Sequence, residues 1–327
     1  MTLILSRDDI RDLIRMQDVI DAVEAAHAAH AAGNAIQPTR ATVSLPGTTS
    51  AILPMAATLD RPPAAGLKLL SIFPTNRDSG IPVLNAVVLL VDPSSGRCAA
   101  MLEGGVLTAF RTAAASAVAT RYLARDNARI LGLVGAGIEA RTHFEAICHV
   151  RPRIDQVRVW SRTKETAQGF AQEMAHHGVE IEVVETPEAA TRGVDILCTL
   201  TPAQEPIIQG EWFSPGLHVN AVGTHWINYR EIDTKAVARS RVVVDSREAA
   251  MAECGDLMIP VREGAISTGH FADELGQLIN GEREGRMSLE EITMYQSVGV
   301  AIQDVATAAL LTRLAYARGV GTEVELW

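Results

Sequence analysis

The sequence predicts an α/β protein: a Rossmann doubly wound parallel sheet joined to an α+β substrate-binding and dimerisation domain that the C-terminal helix completes. Three observations lead there. An apolar strand runs into a glycine-rich turn near residue 135, strand and helix segments alternate after it, and the segment before it holds β-branched and apolar runs broken by Pro and Gly. A chain of 327 residues fits two domains of roughly 150 residues each.

Taken in order, Asp18 can cap a helix running to Ala32, with Gly33 as its stop. Residues 39–58 and 67–102 carry strand-like runs and predict a small sheet. The alanine-rich stretch from Leu107 to Leu123 has small side chains and high helix propensity, which suits a closely packed connecting helix. Strands are then expected at 129–134, 157–160, 181–184, 195–200, 217–222 and 242–245, with helices at 135–148 and 163–177. The last helix, from Val298 to about Arg318, follows a break at Gly299; with no strand expected after it, it should return to the first domain. The expected domains are therefore 1–115 with 300–327, and 116–299. The pairs His27/His30 and His176/His177 are expected on solvated helix faces.

Composition excludes several classes of function. With 47% hydrophobic and 21% charged residues the chain is a folded protein, not a disordered or fibrous one. A net charge of -10 opposes binding along nucleic-acid phosphates, though a basic pocket for one small anion remains open. Cys98, Cys148, Cys198 and Cys254 stand too far apart for a disulfide framework or a zinc motif, so packed reduced thiols and no metal are expected. The N-terminus lacks a basic region and an apolar signal core, and no apolar run reaches the ~18 residues of a membrane span. A cytoplasmic location is expected.

Gly135-Ala136-Gly137-Ile138-Glu139-Ala140 matches G-x-G-x-x-G/A directly after the apolar strand at 130–134. The first glycine permits the tight turn, the second lets backbone approach a pyrophosphate, and the helix N-terminus offers free N–H groups to it. The next strand ends in Trp160-Ser161-Arg162-Thr163-Lys164, where an NAD-preferring fold normally places an acid. Arg162 can pair with a 2'-phosphate while Ser161 and Thr163 donate hydrogen bonds, so NADP(H) is favoured, with NAD(H) possible.

The first domain holds three isolated cations, Arg40, Lys68 and Arg111. Lys68 stands among leucines in a strand. It either points outward from an edge or is buried at a cost that demands a partner. Asp304 reads as a tether for the last helix, and Glu253 with Asp256 lacks a third ligand for a metal.

Phe110-Arg111-Thr112-Ala113-Ala114-Ala115-Ser116-Ala117, the Gly-x-Gly turn, Asn220-Ala221-Val222-Gly223 before Arg230-Glu231-Ile232-Asp233, and Val243-Val244-Asp245 before Glu253-x-Gly255-Asp256-Leu257 stand in one order along nearly the whole chain. This set resembles the ornithine cyclodeaminase/mu-crystallin family, whose members include cyclodeaminases, alanine dehydrogenases and ketimine reductases. The resemblance implies that Arg40 and Arg111 lie near the substrate carboxylate and the cofactor, that Lys68 is the active-site lysine, and that Thr201, Val222 and Ser297 line the nicotinamide half of the cofactor.

Two departures bear on the reaction. Where cyclodeaminases of the family carry an acid before the lysine strand, this chain has neutral Ser50-Ala51-Ile52-Leu53-Pro54. Where they carry an aspartate after Asn-Ala-Val-Gly, it has Thr224-His225-Trp226. Ring closure with ammonia loss needs such bases. The leading expectation is therefore an NAD(P)H-dependent reductase of a small α-imino acid, with Arg40 and Lys68 catalytic, Arg111 and His225 also binding substrate, and Leu53, Met55 and Trp226 as candidates for an apolar lining. An ornithine cyclodeaminase is the alternative among enzymes. A non-catalytic NADPH-dependent binding protein of mu-crystallin type is the alternative from another class, and the lysine argues against it. A homodimer is expected, because the small sheet cannot cover its own outer face.

Overall fold

The computed structural model describes residues 1–223 and 226–326. In chain order the elements are β1 (Thr2–Leu5), α1 (Arg7–Leu13), α2 (Met16–Ala31), β2 (Ala35–Ile36), β3 (Val43–Ser44), β4 (Ala51–Asp60), β5 (Pro63–Ile72), β6 (Leu84–Val91), β7 (Cys98–Glu103) and α3 (Gly104–Leu123). Then come β8 (Ile130–Val134), α4 (Ile138–Val150), β9 (Gln156–Trp160), α5 (Lys164–Met174), β10 (Glu180–Val183), α6 (Pro187–Thr191), β11 (Ile196–Thr199) and β12 (His218–Ala221). The rest are α7 (Thr234–Arg239), β13 (Arg241–Val244), α8 (Arg247–Glu253), α9 (Gly255–Arg262), β14 (Asp273–Glu274), α10 (Leu275–Ile279), β15 (Thr293–Gln296), α11 (Ala301–Arg318) and β16 (Thr322–Val324). The chain divides into two units, Met1–Thr112 with Gly299–Trp327, and Ala113–Val298.

The first unit is built on one sheet in the order β16-β1-β7-β6-β5-β4-β2, with β3 also paired to β4. Its ladders are antiparallel except for β1 with β7. In β4 every second residue is buried, Ala51, Leu53, Met55, Ala57 and Leu59, as period-two alternation on a one-sided sheet requires. α11 packs on β4, β5 and β6 and against α2. It buries Ile302, Val305, Ala308, Leu311 and Ala315, a stripe at helical spacing. The close approach depends on Gly66 in β5, where a Cβ would stand 2.5 Å from the Leu89 carbonyl oxygen and 3.3 Å from Val305 Cγ2.

Several expectations need correction. A strand does follow the last helix: β16 pairs with β1, Ile4 opposite Thr322. The helix starts at Ala301, after the Gly299 break. α2 starts at Met16, so Asp18 lies in its first turn, favourable to the helix dipole, and does not cap it. His27 is buried, not solvated. α3 begins earlier than expected because Glu103 caps it, its two carboxylate oxygens accepting the N–H groups of Gly105 and Val106 at 2.9 and 3.0 Å.

The second unit is a parallel sheet in the order β10-β9-β8-β11-β12-β15-β13-β14. This is the doubly wound arrangement expected, with strand order reversing between β8 and β11, where such folds bind dinucleotides. β15 is a fully buried strand that the sequence reading passed over. On β12, Asn220 donates to Thr120 Oγ1 at 3.0 Å, which ties the C-terminal turns of α3 to the sheet.

Gly66→Ala should destabilise the protein by about 1–3 kcal/mol, since its Cβ would meet fixed backbone. Urea unfolding would measure this, and an unchanged midpoint would mean that β5 and β6 can shift locally to make room for the Cβ.

Candidate functional site

β5 runs between β4 and β6, so Lys68 stands in a central strand, opposite Met55 on one side and Val88 on the other. Its side chain is 1% exposed and points, with Ala64 and Ile72, to the face that α11 covers. Burial without a partner would be prohibitive, and the partner comes from α11. Asp304 Oδ1 accepts from Lys68 Nζ at 2.9 Å, and Arg111 Nε lies 2.9 Å from the same oxygen. Asp304, expected only as a helix tether, is thus the shared counter-charge of two buried cations. The neighbouring Gln303 accepts from Arg111 Nη1 at 2.6 Å.

One carboxylate cannot neutralise two cations, and the half-buried Arg40 adds a further positive field. Burial and then Arg111 push the Lys68 amine down from the usual lysine range to about 7, against the opposing pull of Asp304. Arg40 Nη1 reaches Met55 Sδ at 3.8 Å, beside the position opposite Lys68. The three cations singled out in the sequence therefore gather in one unit. They form an electropositive cluster with an amine able to gain or lose a proton near neutral pH, which suits binding and protonating a small anion.

In the second unit Gly135 adopts φ +108°, which only glycine tolerates easily, and its N–H donates to the Trp160 carbonyl at 2.9 Å, joining the turn to the end of β9. Gly137 precedes the first turn of α4, and a Cβ there would meet nothing within 4 Å, so the helix N-terminus is open to an approaching phosphate. Ala136 and Ala140 are buried, Ile138 is 72% exposed, and Glu139 lies in the first turn. These residues fit a pyrophosphate. Sequence reasoning missed Arg141, whose Nη1 donates to the carbonyls of Ala136 and Gly137 at 3.0 and 2.9 Å and braces the turn. After β9, Arg162 and Thr163 are exposed and Ser161 half-buried, while Lys164 is engaged with Glu185 at 2.5 Å.

Thr201, Val222 and Ser297 follow β11, β12 and β15, three neighbouring strands, at their carboxyl ends. Buried carboxylates that the sequence reading did not connect to them hold this edge. Glu231 accepts from the Thr201 N–H at 2.9 Å and its hydroxyl at 2.6 Å. Asp245 accepts from the Ser297 hydroxyl at 3.2 Å and the Val298 N–H at 2.9 Å. Asp256, considered above beside Glu253 for a metal, accepts the N–H groups of Glu231 and Ile232 at 2.8 and 3.0 Å. Burial raises Glu231 to about 8 and Asp256 to about 6. In the sequence Glu231, Asp245 and Asp256 each stand beside one apolar residue, Ile232, Val244 and Leu257 respectively. His225 lies outside the described residues.

A glycine turn open to a pyrophosphate in one unit and a buried cationic cluster with a near-neutral lysine in the other define the class: a two-unit protein with a Rossmann fold. More narrowly, the chain belongs to the ornithine cyclodeaminase/mu-crystallin family, whose model matches residues 1–317. It is 38% identical over 325 residues, 99% of each chain, to Δ1-pyrroline-2-carboxylate reductase of Bacillus cereus. The structure of Thermococcus litoralis Δ1-pyrroline-2-carboxylate reductase with NADH and L-proline is similar at 41% identity and a TM-score of 0.96, covering 99% of this chain and 100% of that one. An archaeal alanine dehydrogenase dimer with bound NAD is similar at 32% identity and a TM-score of 0.94, covering 100% and 99%.

Asp304→Asn should leave Lys68 and Arg111 facing each other without their shared charge, costing about 3–5 kcal/mol and moving the Lys68 titration further below 7. Chemical denaturation and the pH profile would measure the two effects. A variant as stable as the parent would show that α11 and β5 do not need the ion pair.

Proposed function

We propose that this protein is a cytoplasmic, homodimeric NAD(P)H-dependent reductase of small cyclic α-imino acids, which in reverse dehydrogenates the amino acid. The observation that carries the reading is Lys68, an amine brought near neutrality by burial and then by Arg111 while Asp304 keeps it in place. The names of the similar reductases and the L-proline in one of their structures support a five-membered ring.

A nicotinamide dinucleotide, when bound, supplies the hydride. Gly135 to Glu139 would hold its pyrophosphate, and Thr201, Val222 and Ser297 would line its nicotinamide end. Arg40 and Arg111 hold the substrate carboxylate. Protonated Lys68 gives its proton to the imine nitrogen, and the imine carbon takes the hydride. The product is a secondary amine, and Lys68 recovers its proton from solvent. The cyclodeaminase reading loses ground because β4 sets the thioether of Met55, not a carboxylate, opposite Lys68.

The first unit also supports dimerisation. Ile4, Leu69 and Val91 are exposed on the sheet face opposite to Lys68, a row that a second copy would cover, and the archaeal relative is a dimer. The exposed Arg162 and the absence of an acid between Ser161 and Lys164 support NADPH as the preferred nucleotide.

With Δ1-pyrroline-2-carboxylate, nucleotide oxidation should be followed readily by absorbance, and ornithine with NAD should release no ammonia; the opposite pattern would establish a cyclodeaminase. With Lys68 protonated only below about 7, kcat/KM for reduction should fall roughly tenfold per pH unit above that point. Proline oxidation, which needs the neutral amine, should rise through the same range. Parallel slopes in both directions would remove Lys68 as the proton donor. Arg162→Ala should raise the KM for NADPH by about tenfold or more and that for NADH far less; equal effects would sink the 2'-phosphate assignment.

A further inference from the structure

We infer that His27 is a positioning residue for the substrate carboxylate, acting through Gln303 on Arg111. The inference rests on the assignment of Arg111 to that carboxylate. Gln303 lies between the two residues: its Oε1 accepts from Arg111 Nη1 at 2.6 Å, and its Nε2 lies 3.0 Å from His27 Nε2. Both His27 and Gln303 are fully buried, with Arg111 nearly so.

The direction of each hydrogen bond follows from the chemistry. A guanidinium can only donate, so the amide must turn its oxygen to Arg111 and its NH2 group to His27. His27 Nε2 must then accept, which fixes the ring as the neutral tautomer carrying its proton on Nδ1. Burial, with His30 and Arg111 nearby, pushes His27 down to about 3, so this neutral form persists across the working range. A protonated His27 would set two donors against each other and turn the amide away from Arg111.

Gln303 and Asp304 are consecutive residues of α11, and both grip Arg111, one at Nη1 and one at Nε. Asp304 supplies charge but shares its oxygen with Lys68. Gln303 supplies direction, and α2 holds Gln303 through His27. Two helices thus set where the remaining Arg111 N–H groups point.

His27→Leu removes the acceptor and should raise the KM for Δ1-pyrroline-2-carboxylate about five- to tenfold, with kcat within twofold and the affinity for NADH unchanged. His27→Gln, whose side-chain oxygen can accept, should restore most of the loss. Gln303→Leu should raise KM similarly, and the His27→Leu/Gln303→Leu double variant should be no worse than Gln303→Leu alone, because both cut one chain. A purely structural role would instead give additive losses in melting temperature with KM unmoved, and would overturn the inference. Arg111→Lys separates the two levels. If it leaves KM unchanged, the carboxylate assignment fails, and the inference with it. If it raises KM while His27→Leu, His27→Gln and Gln303→Leu do not, the inference alone fails.

Discussion

The sharing of one Asp304 oxygen between Lys68 and Arg111 is the constraint around which the first unit is built. A lysine in the middle of a central strand is intolerable unless a counter-charge is delivered to it. That charge comes from more than two hundred residues away in sequence, so α11 has to lie flat against β4, β5 and β6. The alternation of β4, the close approach at Gly66 and the stripe of α11 serve that placement. β16 then pairs with β1 beyond the helix and holds the C-terminal segment to the same sheet.

The fold was legible where a local rule governs. The Gly135 turn, the strand before it and the alternation after it follow from backbone sterics and hydrophobic period, and the doubly wound sheet was read from them. β15 and β16 were missed because neither carries a local signature. β15 lies between β12 and β13, buried by its neighbours, and β16 is three residues that pair only because β1 is there. Asp18 failed as a cap for a related reason: burial of Met16 in the core starts the helix before the capping residue is reached.

The site was legible as a set of residue types and not as a set of partners. Arg40, Lys68 and Arg111 stood out as cations in apolar surroundings, which is a local contrast. What gives them chemistry is a pair of residues on the last helix and a histidine on the second, and no spacing rule links positions 27, 68, 111 and 304. Glu231, Asp245 and Asp256 were hidden in the same way, since each satisfies backbone N–H groups or hydroxyls supplied from outside its own segment. Buried polar groups must be paired, but the sequence does not say with whom.

The cluster also explains why a lysine, and not an arginine, stands at position 68. An arginine would hold a carboxylate equally well but could never release a proton. Burial lowers the amine first and the Arg111 charge second: Arg111 draws on the same Asp304 oxygen, so the ion pair holds Lys68 in position without fully restoring the stability of its charge. Weakening either cation would strengthen the hold of Asp304 on the other. The geometry that orients Arg111 therefore also bears on the proton affinity of Lys68, which burial lowers first, and the two cations are coupled through a single oxygen atom.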